Sequence, residues 1–323
     1  MIKAAVSDLL VRSNAFALFR YLNRSKMPIL MYHRFSEKEE IGKTSLAALC
    51  SHLAYLTKHY KVLSLTEAVS FIANERTLPE RAAVITIDDG YADCFNIALP
   101  VFKKYGVAAT LYVVTDFVDG RLWIWTDKAR YLLKHTALER INFMIGDKEF
   151  DIELKGIESR HIAAGKLNSE LKKLSDEEKD AVLSELADHV SVEMPELPPQ
   201  EFSAISWQQA HELETSGVEI GSHTVTHPIL TNIGDENLRQ ELHGSRAVIQ
   251  EKLQKENVHF CYPNGNVSRR ERDVAERSGY ASAVTTEIRL CEKDSDKFLL
   301  PRIDAEPQLS RFIKATSGFD AYR

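Results

Sequence analysis

The sequence predicts an α/β fold built on parallel strands. Three observations point there. Residues 82–87 form a continuous apolar, β-branched run that stops at Asp88-Asp89-Gly90, the pattern of a strand buried on both faces. Buried strands alternate with amphipathic helices on both sides of a long interruption. Several of the strands end in polar, chemistry-bearing residues.

Element by element, residues 1–26 read as a helix with Val6, Leu9, Leu10, Phe16 and Leu22 near the helical period and Lys3, Arg12, Arg20, Arg24 and Lys26 adding charge. Residues 28–32 read as a buried strand ending at His33. Helices follow over 44–60 and 65–74. After the 82–87 strand comes a helix over 97–105, closed by Gly106, then a strand over 108–114. Residues 120–203 break the rhythm: 141–154 alternates like a hairpin, 156–190 is charged and helical, and 193–200 holds Pro195, Pro198 and Pro199 and reads as a linker. We take 120–203 as an insertion or cap within a domain formed by 27–119 and 204–323. The rhythm resumes with a capping box at Ser206 and Gln209 for a helix over 207–216, a strand over 218–222, a helix over 235–256, a strand over 259–262, a helix over 269–278 and a strand over 281–286.

The chain has 323 residues, a formal net charge of -6, 44% hydrophobic and 27% charged residues, as in ordinary globular proteins. No long basic run supports nucleic-acid binding. The four cysteines, Cys50, Cys94, Cys261 and Cys291, are scattered and form no C-x-x-C pair, which favours a reducing compartment over a disulfide framework. The apolar stretch 15–19 is too short for a secretory signal, and no run approaches the ~20 apolar residues of a membrane span. The cytoplasm is therefore the expected location. The basic, apolar-striped segment 1–26 either packs on the domain or lies on an anionic membrane surface.

His223-Thr-Val-Thr-His227 has the i, i+4 spacing that puts two imidazoles on one side of a helical turn. With one carboxylate they would complete a three-ligand zinc set that leaves a position for water. By itself the pair reads equally as two surface histidines flanking a turn. In Asp88-Asp89-Gly90 the glycine lets the chain turn so that both carboxylates reach one site, and their repulsion asks for a cation. By itself it is also a common loop.

Together, Ile85-Thr86-Ile87-Asp88-Asp89-Gly90-Tyr91, Gly221-Ser222-His223-Thr224-Val225-Thr226-His227-Pro228 and Phe260-Cys261-Tyr262-Pro263-Asn264-Gly265 resemble, in order and spacing, the three motifs of the polysaccharide deacetylases, carbohydrate esterase family 4 or NodB-type. The resemblance implies a distorted (β/α) barrel of about seven strands and removal of N-acetyl groups from an amino-sugar-containing saccharide, as in surface-polysaccharide synthesis. It implies that Asp89, His223 and His227 bind zinc, at a site of a kind that also accepts cobalt or nickel. It makes Asp88 the base, Tyr262 the source of a backbone N–H for the oxyanion, and Tyr91, Pro263 and Asn264 the substrate wall. Two family features are missing: the arginine of the third motif and the late leucine-x-histidine motif. Arg302 is the candidate to support Asp88, and His33, in a Met-Tyr-His segment like that of the biofilm poly-N-acetylglucosamine deacetylases, is the candidate acid. Both could instead be ordinary packed or surface residues. His52, His59, His211 and His243 read as helix-face residues, and Trp123 and Trp125 as core of the insertion before sugar platforms. Alternatives to the deacetylase are a deformylase or deacylase of a lipid-linked sugar, and an inactive saccharide binder.

Overall fold

The computed structural model describes residues 16–322. It divides at Asp119 and Ala204 into two compact units, one on either side of these points and one formed by Gly120–Ser203.

The larger unit is a parallel sheet. Its strands are β1 (Ile29–Tyr32), the short β2 (Phe35–Ser36) and β3 (Thr44–Ser45), β4 (Lys61–Leu63), β5 (Ala82–Ile87) and β6 (Ala109–Val113). After the hairpin strands β7 (Arg140–Ile145) and β8 (Lys148–Glu153) of the other unit come β9 (Val218–Ser222), β10 (Phe260–Cys261), β11 (Ala283–Val284) and β12 (Ile303–Asp304). The main sheet runs β11-β10-β9-β6-β5-β1-β12, with β4 paired to the start of β5. Thr285 N–H donates to Leu300 O and Leu300 N–H to Ala283 O, which carries the ladder from β11 to the segment entering β12. The seven strands thus form a distorted (β/α) barrel.

Why β5 is apolar throughout follows from its surroundings. Ala83, Ile85 and Ile87 pack outward with helix residues Leu49, Leu53 and Phe102. Ala82 and Val84 face the other way, among Ile29, Tyr112, Cys261, Val284 and Leu300. Alternate residues of one strand therefore enter two cores, and all six are buried. By the same alternation Thr86 and then Asp88 continue the inner row, so the strand carries a carboxylate to the end of the barrel interior.

Most boundaries lie within two residues of the sequence reading. The differences have local causes. The stretch 94–98 is a π-helix that leads into the α-helix Leu99–Tyr105. Among the described residues the N-terminal helix covers Phe16–Leu22. Residues 23–26 turn away from it, and Met27 exchanges backbone hydrogen bonds with Cys291. The helix reading for residues 1–15 lies outside the described residues. Phe16 and Phe19 stand edge-on to Phe319, so this short helix packs on the barrel unit. Among the described residues no helix is long and apolar enough to cross a membrane.

The smaller unit holds the antiparallel hairpin β7–β8, in register from Arg140↔Glu153 to Ile145↔Lys148, and helices Trp125–His135, Gly156–Leu171 and Asp176–His189. Ile141, Phe143, Phe150 and Ile152 of the hairpin share a core with Leu132, Leu167 and Leu186. Trp125 belongs to this core, and Trp123 is buried edge-on to Tyr131. Both rings are packing groups.

Candidate active site

The site gathers at the C-terminal ends of β1, β5, β9 and β10, where parallel strands deliver their side chains to one face. After Ile87 the backbone turns sharply. Asp88 N–H still donates to Tyr32 O at 2.9 Å, but Asp89 takes φ 76° and Gly90 φ 93°. A Cβ on Gly90 would come within 3.1 Å of Val113 Cγ1. Only glycine fits this turn, and the turn swings Asp89 away from the line of the strand.

His223 follows β9 directly, and its N–H donates to Val113 O at 2.8 Å. Its Nδ1 lies 2.8 Å from Cys261 O. A carbonyl only accepts, so Nδ1 carries the proton and Nε2 presents a lone pair. His227 Nε2 and His223 Nε2 lie 3.6 and 3.5 Å from Asp89 Oδ1. Burial lowers the basicity of both imidazoles, that of His227 to about 4, where His223 adds to the effect. Both rings are thus neutral near pH 7.

The segment between them is not the helical turn that the i, i+4 spacing predicts. It is a loop in which Thr224 has φ 74° and His227 φ 62°. The two rings come together, centroids 4.8 Å apart, because the loop folds back.

Asp88 is buried and gripped by Arg302, Nη1 to Oδ1 at 2.7 Å and Nη2 to Oδ2 at 2.8 Å. Burial alone would raise the Asp88 pKa, but the Arg302 charge and its paired hydrogen bonds outweigh it and hold the carboxyl well below its usual range. Arg302 is buried too. Its Nε donates to Thr285 O at 2.8 Å and its Nη1 also reaches Thr86 Oγ1 at 3.2 Å. The exposed His33 places Nε2 3.7 Å from Asp88 Oδ2.

Three expectations need correction. Tyr262 N–H donates to Val284 O at 3.3 Å, within the β10–β11 ladder, and so is not directed at the cleft. The ring is fully buried, with its hydroxyl donating to Phe298 O. Tyr91 is 2% exposed, edge-on to Phe117 and covered by the Arg34 guanidinium at 3.9 Å, so it offers no face to a sugar. Pro263 is likewise buried, while Asn264 is exposed at φ 59°.

Among the described residues two groupings have donor atoms close enough to share a metal: Asp88, His223 and Cys261, and Asp89, His223 and His227. In the first, both Asp88 oxygens serve Arg302, and burial drives the Cys261 thiol far up, so it stays an S–H pointing at Asp88 Oδ2. In the second, a carboxylate oxygen and the Nε2 atoms of two neutral imidazoles converge, with that of His223 presenting a lone pair. A tetrahedral ion with bonds of about 2.0–2.1 Å spaces its ligands roughly 3.3 Å apart, close to the 3.5 and 3.6 Å found here. The second set fits a cation, which would draw one donor atom from each of the three side chains.

Two contributors escaped the sequence reading. Cys261 lies beside Asp88 and 3.1 Å from Arg302 Nη2, and Glu241 sits under the histidine loop. No pattern in the sequence marks either.

A buried ionised carboxylate beside a carboxylate–imidazole cluster, at the open end of a parallel barrel, is the arrangement of a hydrolase of the NodB type. The profile of the polysaccharide deacetylase family matches residues 75–283, and the chain belongs to that family. It is 24% identical to the Bacillus subtilis (strain 168) protein YxkH over 299 residues, 92% of this chain and 76% of that one. Its fold is similar to that of the Streptococcus pyogenes deacetylase PplD in complex with acetate, with a TM-score of 0.61 at 18% identity over 90% of this chain and 98% of the other. IcaB from Ammonifex degensii superimposes with a TM-score of 0.57 at 17% identity, over 90% and 97%.

Proposed function

We propose that this chain is a zinc-dependent deacetylase that removes N-acetyl groups from an amino-sugar-containing saccharide during surface-polysaccharide synthesis. The observation that carries the reading is the convergence of Asp89, His223 and His227 on one point, next to an Asp88 held ionised by Arg302.

When bound, the cation supplies Lewis-acid polarisation of the acyl oxygen and makes water acidic enough to ionise near neutral pH. The remaining work belongs to the chain. Asp88 accepts the proton of the attacking water. Arg302 occupies one lone pair on each carboxylate oxygen and the Cys261 S–H the second on Oδ2, so Asp88 is fixed in orientation with a lone pair of Oδ1 left to accept. His33, exposed to the cleft and near Asp88, delivers a proton to the departing sugar nitrogen. Water is consumed, the amide C–N bond breaks, and acetate and a free amine leave.

The test is acetate release from a panel of N-acetylated sugars, lipid-linked oligosaccharides and polymers. The untreated protein, the chelator-treated protein and the protein resupplied with zinc are compared. Activity that disappears on chelation and returns with zinc supports the reading. Activity indifferent to chelation, with no metal in the protein, removes it.

A further inference from the structure

The loop that carries His227 is held from outside. On one side Glu241, from the helix Asp235–Leu253, takes three hydrogen bonds from it. Its Oε2 accepts Val225 N–H at 2.7 Å and Thr226 N–H at 3.0 Å, and its Oε1 accepts the Thr226 hydroxyl at 2.6 Å. On the other side Thr115 and Asp116 N–H donate to Thr224 O and Val225 O, both at 3.1 Å. The helix also comes close to the loop: a Cβ on Gly244, one turn beyond Glu241, would be 3.2 Å from Val225 Cγ2.

The loop needs this support. Thr224 and His227 both have positive φ, a region L-residues rarely occupy and that the surroundings must impose. His227 N–H donates inward to Thr224 Oγ1 at 2.9 Å, so the position of His227 depends on that of Thr224. Glu241 fixes the two residues between them. His223 differs: it follows a strand and is held by Val113 O and Cys261 O. The two histidines are therefore positioned by independent means.

We infer that Glu241 is a positioning residue for the metal set, acting through Val225 and Thr226 to hold His227 Nε2 opposite Asp89. It touches neither the proposed cation nor the substrate. The inference rests on the metal reading above. An unsupported loop would let His227 relax out of its left-handed conformation and leave Asp89 and His223 as a two-donor set.

Zinc affinity of the folded full chain tests this, measured by competition with a chromophoric chelator, alongside circular dichroism and thermal unfolding of the zinc-free protein. Glu241→Ala is expected to weaken zinc binding about 10–100-fold, the usual effect of removing a group that orients a ligand. Glu241→Gln can accept both N–H groups through its amide oxygen and donate to the Thr226 hydroxyl, so it should stay within about fivefold of wild type. A purely structural role would lower the melting temperature of Glu241→Ala and leave its zinc affinity unchanged, which overturns the inference alone. Should Glu241→Ala not fold, Glu241→Asp and Thr226→Val decide. The first is too short to keep all three bonds and the second loses the hydroxyl bond, so both should bind zinc more weakly, and wild-type affinity in both overturns the inference. A wild-type protein that holds no zinc overturns the metal reading and this inference with it.

Discussion

Arg302 and Asp88, 214 residues apart in sequence, form a two-pronged ion pair inside the barrel, with both side chains almost wholly buried. Removing one partner strands the other's charge in a place water does not reach. Arg302→Met should therefore cost about 3–5 kcal/mol of stability, by urea denaturation. The double variant Asp88→Asn/Arg302→Met should cost clearly less than the two single losses added together. Additive losses would mean that the pair is not coupled.

Asp88 and Asp89 are neighbours with different surroundings, and their substitutions should separate cleanly. Asp88→Asn should keep zinc and lower kcat by roughly 10²–10⁴, as the proposed proton transfer to this group requires. Asp89→Asn should lose zinc on dialysis. Elemental analysis with single-substrate kinetics distinguishes them, and the reverse pattern would exchange their roles.

His33→Ala should lower kcat with little change in zinc content, since its imidazole lies near Asp88 but outside the Asp89, His223 and His227 set. Substrates whose leaving group needs no protonation should lose less. Equal loss on both kinds of substrate would remove the acid role.

His52 supplies a pH test away from the site. It is stacked on Phe312 at 3.9 Å and bonded through Nδ1 to the Tyr32 hydroxyl at 3.1 Å. Burial, partly offset by the Pro307 carbonyl, lowers its pKa from 6.5 to about 4. Below pH 6.5 the unfolded chain takes a proton that the folded chain refuses. Stability from this group is thus full above pH 6.5, falls as pH drops and is lost by about pH 4, a change of roughly 3 kcal/mol. His52→Gln does not titrate, so its unfolding free energy should fall less steeply over that range. Parallel curves for the two proteins would refute the assignment.

The strands were legible where burial on both faces leaves no polar residue, as in 82–87, and the helices where a capping box marks the start, as at Ser206 and Gln209. Short strands were not. Lys61–Leu63 and Ile303–Asp304 are too brief for a period to show and exist only because a partner is already in place. At the site, the residue types at strand ends were readable. What makes them converge was not: Asp89, Thr224 and His227 adopt positive φ without being glycine, and the Glu241 and Cys261 contacts arise from helix and strand packing that spacing does not encode. The helical turn expected for 223–227 failed for this reason.

The strand order bears on how the chain reaches this state. β1 lies between β5 and β12, with Leu30 facing Ile85 on one side and Ile303 on the other. Pairing with β5 is relatively local, whereas pairing with β12 must await nearly the whole barrel. Until then one edge of an apolar strand, Ile29–Tyr32, stays open. Such non-local parallel pairing is slow, and an open apolar edge recruits other chains. Refolding yield should therefore depend steeply on protein concentration, with aggregation competing against the last strand to dock.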